Sequence, residues 1–285
     1  MWWKVMLSLL LLVVVLVMAA AGIGSLRWKK RTDTLLDRLQ AAQAVVPSQS
    51  YDPAILQDLP EPVQRYFRKV LEPGQPMISR VSVKHKGTFN MKEAGEQWKP
   101  FTSRQQVTVQ RPGFVWNARI AVMPGLAAWV HDAYVAGEGV LKVALLGLIT
   151  LVDMEPTPEL ARGELMRWCA EATWYPTALL PGPGLAWREV DAHTARADFA
   201  VDGLQVSLEF HFTPDGLIDT VRADDRERLL GGKVVKASWE GRFWNYARRG
   251  GMRVPLDGEV AWITADGRKP YWRGRIESLD YTFSR

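Results

Sequence analysis

The sequence is poor in the groups that usually announce chemistry. Among 285 residues there is one cysteine, Cys169, which excludes an intramolecular disulfide and any zinc site built from cysteines. No Gly-rich phosphate loop occurs: Gly137-Glu138-Gly139 and Gly182-Pro183-Gly184 lack the residues that must follow them. A His-Glu-x-x-His pair and a Gly-x-Ser-x-Gly nucleophile elbow are both missing. The four histidines, His85, His131, His193 and His211, are not at helical metal-ligand spacing. Each is read as a surface or hydrogen-bonded side chain, with His85 and His211 expected on strand faces opposite their apolar neighbours. No metal, no cofactor and no catalytic residue is expected.

Charge of one sign is also missing from most of the chain. The total is 36 basic against 31 acidic residues, but Lys4, Arg27, Lys29, Lys30 and Arg31 lie in a segment without any acid. Beyond residue 31 the chain is balanced, so a broad phosphate-tracking surface has no support and nucleic acid is not an expected partner. With 47% apolar and 24% charged residues the chain has a core to bury and is not disordered in bulk.

What is present begins with an apolar run. Val5 to Leu26 carries no charge and only Ser8 and Ser25 as polar groups. As a helix it is about 33 Å long, enough to cross the hydrocarbon core, and Trp2, Trp3 and Trp28 suit the headgroup layers at its ends. A cleaved signal peptide, with Ala19-Ala20-Ala21 as the cleavage site, is the alternative; the length of the run and its single upstream lysine favour a single-pass anchor in the cell membrane. The four basic residues that follow put the large domain in the cytoplasm by the positive-inside rule. The resemblance below favours the periplasmic side, and the question stays open.

The chain divides into an anchor with a basic flank (1–31), an amphipathic stalk or linker (32–52) and one β-rich domain (53–285). In the stalk, Leu35, Leu36, Leu39 and Ala42 have helical spacing until Pro47 to Pro53 break it. A second helix is predicted around Val63, Tyr66, Phe67, Val70 and Leu71, opened by Pro62 and stopped by Pro73-Gly74. Beyond residue 78 the period becomes two. Ala197, Phe199 and Val201 alternate, Asp202-Gly203 turns the chain, and Val206, Leu208, Phe210 and Phe212 alternate back. The last hundred residues read as an antiparallel meander of five to seven strands. The 13 residues 140–152 are too short to span a membrane and are expected to be one buried strand. A helix from Pro158 to Thr173 separates the two β regions, capped by Thr157.

Glu164, Arg167 and Glu171 fall on one face of that helix, the spacing of ordinary surface ion pairs; the functional alternative is that Arg167 points into a cavity and holds an anionic headgroup. The mixed-charge run Asp224 to Arg228 reads as a solvated loop or edge strand. Ten of the 13 tryptophans lie beyond residue 31, spread over strands and helix. Core packing accounts for most, and three or four are available to line an apolar cavity.

The block GELMRWCAEATWYPTALLP, residues 163–181, together with LPEPVQRYFR, PGFVWNARI, DAYVAGEGVL, GMRVPLDGEVAW and YWRGRIESLDY, resembles a bacterial family of unknown function whose members carry an N-terminal membrane segment. The fold of that family is similar to the lipoprotein-carrier (Lol-type) architecture. The fold class this implies is α+β, mainly antiparallel: a curved, incompletely closed β-barrel with plugging helices, here preceded by one transmembrane helix. The resemblance makes the helix at 158–173 a lid, with Trp116, Tyr134, Trp168, Trp174 and Tyr175 as cavity-lining candidates and Arg119 or Arg167 near the mouth. Cys169 stands where the family has a leucine, which argues against a thiol role.

The function expected from all this is a membrane-tethered, non-catalytic domain that binds a lipid or other apolar ligand. The alternatives are a structural module engaging an envelope protein, and an enzyme in which two of Glu164, Asp132 and Asp224 meet in a cleft with raised proton affinity.

Overall fold

Period-two runs bury one face and pair their backbones sideways, so the stretch beyond residue 78 sets the architecture. The computed structural model describes residues 2–44, 48–92, 95–230 and 233–284. Among these, thirteen strands form one sheet: β1 (Ile78–Asn90), β2 (Trp98–Thr108), β3 (Gly113–Met123), β4 (Leu126–Val135), β5 (Glu138–Leu145), β6 (Ile149–Asp153), β7 (Leu185–Asp191), β8 (Thr194–Val201), β9 (Leu204–Phe212), β10 (Ile218–Leu230), β11 (Lys233–Arg249), β12 (Met252–Thr264) and β13 (Gly267–Phe283). The spatial order is β6-β5-β4-β3-β2-β1-β13-β12-β11-β10-β9-β8-β7, with β6 and β7 as unpaired edges. Two meanders are thus joined by the antiparallel pairing of β1 with β13. The second, β7 to β13, is the predicted C-terminal meander. Its Asp202-Gly203 turn has φ of +48° and +82°, the left-handed pair that a two-residue hairpin requires.

Residues 140–152 are not one buried strand. They form the end of β5, a turn, and β6, because Leu146 and Gly147 both take positive φ (+50° and +70°) and reverse the chain. Ile149 and Leu151 on β6 are exposed.

The sheet curves where small residues let it. Gly87 on β1 faces Gly274 on β13, which in turn faces Gly258 on β12. A Cβ on Gly87 would sit 1.9 Å from the Arg273 carbonyl oxygen, and one on Gly274 would sit 2.2 Å from the Trp272 ring. The three glycines therefore form a crease over which the Trp272 indole lies. Register breaks at Lys84/His85, Val260/Ala261 and Ala223/Arg226 add coiling. The concave face is filled with rings: Trp174 lies 5.1 Å from His85 and 5.8 Å from Phe243, and Phe101 lies 5.9 Å from Trp116. His85 is inside this packing, 1% exposed, and shares its face with Val81 and Val83. This corrects the outward placement that its polarity suggests; Ser103 Oγ, 3.3 Å from its Nδ1, is its polar partner.

Three α-helices accompany the sheet. α1 (Trp2–Ala41) is one unbroken helix of 40 residues, free of proline and about 60 Å long. Its apolar first half is long enough to cross a membrane. Its second half lies along the convex face of the sheet, where Leu35 and Leu39 bury against Val115, Ala133 and Val135. The stalk helix therefore continues the anchor as its spacing suggests, but it is docked on the domain; the break at Pro47 lies outside the described residues. α2 (Glu61–Val70) buries Val63, Tyr66, Phe67 and Val70 and packs on β8 and β12. α3 (Pro158–Glu171), capped by Thr157 Oγ1 accepting from the Leu160 amide at 3.2 Å, crosses the concave face and touches both β3–β5 and β9–β10.

Cross-strand register fixes which end of the sheet faces the apolar helix. Ile120 pairs with Phe101 and Ala128, and Ala128 pairs with Leu145, so the β1–β2, β3–β4 and β5–β6 tips lie level. The pairing of Phe89 with Trp272 brings the β12–β13 tip to the same rim. α1 meets this rim at Gly24, where a Cβ would lie 2.5 Å from the Leu146 carbonyl oxygen. From there it runs along the sheet past Trp28 and Thr32 to Arg38, which bonds Glu138 at the opposite rim.

Candidate ligand-binding cleft

α3 is held in the sheet by charge as well as by apolar packing. Arg167 is mostly buried; its Nη1 donates to Asp132 Oδ2 at 2.6 Å and its Nε to Glu171 Oε1 at 2.7 Å. Gln105 Nε2 donates to the other Glu171 oxygen at 2.5 Å, and the Arg167 guanidinium lies 4.7 Å from the centre of the Phe114 ring. One turn earlier, Glu164 faces Arg226 of β10 at 3.7 Å, while Arg226 Nε donates to the Gly163 carbonyl at 3.2 Å. Arg226 also lies over the Trp239 ring, 4.8 Å away. Arg162, on the outer side, donates to Asp225 and Glu227.

Three carboxyls, Asp132, Glu164 and Glu171, thus face two guanidiniums, Arg167 and Arg226. Glu164 has its proton affinity driven well above the ordinary carboxyl range, first by burial and then by the neighbouring Asp132 carboxylate. The surface reading of Glu164, Arg167 and Glu171 is therefore corrected: all three are drawn under the sheet because Asp132 and Gln105 offer partners there. The Asp224–Arg228 run is not a loop but the second half of β10. Pairing with β9 ends at Arg222 and β11 alone continues beside it, so the run is a local edge, one of the two readings its composition gives, with Arg226 turned inward onto the Gly163 carbonyl.

Beside this cluster lies a cleft of about 770 Å³. Its polar wall includes Asp132, Glu164, Arg226 and Arg268; its apolar wall includes Phe89, Leu141, Leu160, Trp262 and Tyr271. Trp262 and Tyr271 stack across the β12–β13 hairpin with ring centres 5.9 Å apart. Arg268 is fixed by Glu240 at 2.6 Å and by Glu259. The mouth lies between the β1–β2 and β12–β13 tips, on the rim where α1 leaves the sheet.

A family model for a family of unknown function (DUF6920) matches residues 57–281. The chain belongs to this family. The DUF6920 match takes in α2, α3 and every residue of the cleft, and leaves α1 outside. No curated protein matches. Among solved structures, the chain is similar to a LolA-superfamily protein from Nitrosomonas europaea, at 7% identity over 78% of this chain and 92% of that one, with a TM-score of 0.39. It is also similar to a β-barrel-like protein of the DUF1849 domain family from Brucella abortus, at 9% identity over 73% and 99%, with a TM-score of 0.25.

Within the DUF6920 domain the seven candidate residues are placed as follows. Trp116, Trp168, Trp174, Tyr134 and Tyr175 are buried in the packed core and do not line the cleft. Trp168 Nε1 donates to the Thr108 carbonyl and Tyr175 OH to the Trp168 carbonyl, which ties the end of α3 to β2. Arg167 stands behind the cleft wall and acts on it through Asp132. Arg119 is on the convex face, 3.7 Å over the Trp129 ring beside Trp28 of α1, on the other side of the sheet from the cleft. Alternation along β3 explains this, since Arg119 has the parity of Val115 rather than of Trp116. Asp132 and Glu164 both line the cleft, and Glu164 has its proton affinity raised by burial; Asp224 is exposed and paired with Arg222. Arg226, Trp262 and Tyr271 were not among the candidates. Their one sequence signal is two aromatics placed symmetrically about the Asp266-Gly267 turn. Cys169 is fully buried, and burial pushes its thiol up, away from reactivity.

His85 borders the cluster, and burial together with the Arg167 charge pushes it down to about 3. A histidine held neutral in the fold stabilises it above the ordinary histidine pKa and loses that contribution as pH falls below about 6.5. The wild-type domain is expected to lose about 1.4 kcal/mol per pH unit more than His85→Gln between pH 6.5 and 5. Urea titrations of both proteins at a series of pH values check this.

Proposed function

We propose that the chain is a membrane-tethered, non-catalytic binding domain for a lipid or another apolar ligand with a polar head. The observation that carries this reading is the position and lining of the cleft: its mouth is on the rim from which the apolar helix departs, and its walls divide into aromatic and guanidinium–carboxyl halves. Phe89, Leu141, Trp262 and Tyr271 would cover hydrocarbon, and burial of that surface supplies the drive. Arg226 and Arg268 would meet the polar end, with the Arg268 charge balanced by Glu240 and Glu259. The α1 helix, anchored in the bilayer, keeps the mouth where such ligands partition. Its docking on the convex face leaves the cleft uncovered by α1.

The test is native mass spectrometry with organic extraction on the full chain, purified in detergent, beside Trp262→Ala. A lipid of defined mass at near one per chain is expected for the wild type, with occupancy about tenfold weaker in the folded variant. Equal lipid content in both proteins, or none in either after incubation with membrane extract, removes the cleft as a lipid site.

A further inference from the structure

Outside α1, eight large apolar side chains are exposed among the described residues, and five of them cluster: Met91, Met123, Leu148, Ile149 and Leu151 belong to the β1–β2, β3–β4 and β5–β6 tips, while Ile55, Val190 and Trp244 stand singly elsewhere. Ile149 is 63% exposed, Met123 58% and Leu151 53%. The opposite rim shows no such cluster, with Val190 alone beside the β7–β8 turn: its turns carry Arg111, Glu138, Arg248 and Arg249, with Arg111 paired to Asp202 and Arg248 to Glu72. The β3–β4 and β5–β6 part of one rim is therefore apolar, beside β1–β2 and β12–β13 tips that carry Lys92, Glu96 and Asp266, and the other rim is charged.

The apolar rim is continuous with the helix surface that lipid would cover. Gly24 lies two residues inside the end of the uncharged run, and the β5–β6 turn is pressed against it: the Gly24 carbonyl is 2.8 Å from where a Cβ on Gly147 would be, and Leu148 packs over the Gly24 Cα. With Val5–Leu26 crossing about 30 Å of hydrocarbon, the level of Gly24 is the boundary between acyl chains and headgroups. Leu148 and Ile149 stand at that level, and Met123 is on the neighbouring tip. The next basic residues, Arg27 to Arg31, follow directly on the helix, where anionic headgroups attract them.

We propose that this rim is a second membrane contact: the β3–β4 and β5–β6 tips insert Met123, Leu148 and Ile149 into the lipid boundary beside α1, pressing the cleft mouth onto the bilayer. The occupant is the same membrane that holds α1, and the proposal rests on α1 being a membrane anchor. Exposed apolar patches of this kind on an otherwise balanced surface mark an interaction site, and here the only large apolar phase within reach at that height is the bilayer. A ligand would then pass from leaflet to cleft along Met91 and Phe89 without crossing open water.

The full chain is reconstituted in phosphatidylcholine–phosphatidylglycerol vesicles after labelling Ile149→Cys, and separately Arg249→Cys on the opposite rim, with an environment-sensitive fluorophore in the folded state, where Cys169 is buried. Quenching by doxyl-labelled phosphatidylcholine at position 149, at least about twice that at position 249, is the expected result. Equal weak quenching at both positions, in chains that stay with the vesicles through an alkaline carbonate wash, overturns the rim contact while leaving the anchor intact. Loss of the chain from the vesicles in that wash overturns the anchor itself, and the rim proposal with it.

Discussion

Arg167→Met is expected to destabilise the domain by about 3–5 kcal/mol, the range for removing one partner of a buried ion cluster. The guanidinium is the shared partner of Asp132 and Glu171, both mostly buried. Without it the two carboxylates keep their desolvation cost and lose their counter-charge, and each then binds a proton or drags in water. Methionine replaces most of the volume over the Phe114 and Trp116 rings, so the loss reports charge rather than a cavity. Combining Arg167→Met with Asp132→Asn and Glu171→Gln should recover at least half of the loss, because the uncompensated charges are then gone. Chemical denaturation of the single and triple variants checks both statements. A single variant within about 0.5 kcal/mol of wild type would show that the cluster is hydrated and that Arg167 is not what holds α3 to β4.

The second large effect is expected at the crease. Gly87→Ala places a methyl 1.9 Å from the carbonyl oxygen of Arg273 on the paired strand. That oxygen is backbone and belongs to the ladder, so relief requires β1 and β13 to part where the two meanders are joined. Gly274→Ala meets a side chain instead, the Trp272 ring at 2.2 Å, which can move at some cost to its packing on Phe101 and Trp174. Gly87→Ala is therefore the more damaging of the two, by about 3 kcal/mol or more. For a domain of this size that lowers Tm by roughly 10 °C, measured by thermal unfolding followed by near-ultraviolet circular dichroism of the tryptophan core. An undisturbed Tm for Gly87→Ala would mean that the sheet opens at the crease without penalty.

Much of the fold was legible because local patterns and the final architecture agree. The alternation around Asp202-Gly203, the Pro62 and Thr157-Pro158 helix starts and the uncharged run from Val5 each name an element correctly. The site was far less legible, for reasons particular residues illustrate. Arg226 sits in a stretch whose composition reads as solvated; it is buried because Glu164, more than sixty residues earlier, arrives on α3 to meet it. His85 was misplaced by polarity, although its parity with Val81 and Val83 already put it inside. Tryptophan content signals bulk to be packed but not which ring faces a cleft. That depends on the Gly87–Gly274–Gly258 crease, which swallows Trp272 and Trp174 and leaves Trp262 at the mouth. The block at 163–181 is, for the same reason, mostly core: Trp168, Cys169, Trp174 and Tyr175 are buried with the end of α3, while its first two residues, Gly163 and Glu164, reach the cleft.

The unbroken course of α1 has one more consequence. A carrier that ferries cargo between two membranes needs a leash, a stretch of chain whose slack sets how far it travels. Here the helix passes from the apolar run to the sheet without proline, and Trp28, Leu35 and Leu39 clamp it along the domain. With α1 in the bilayer as proposed, the domain would have no slack: one helix would set its height above the lipid and its heading, and a ligand and any recipient would have to come to it.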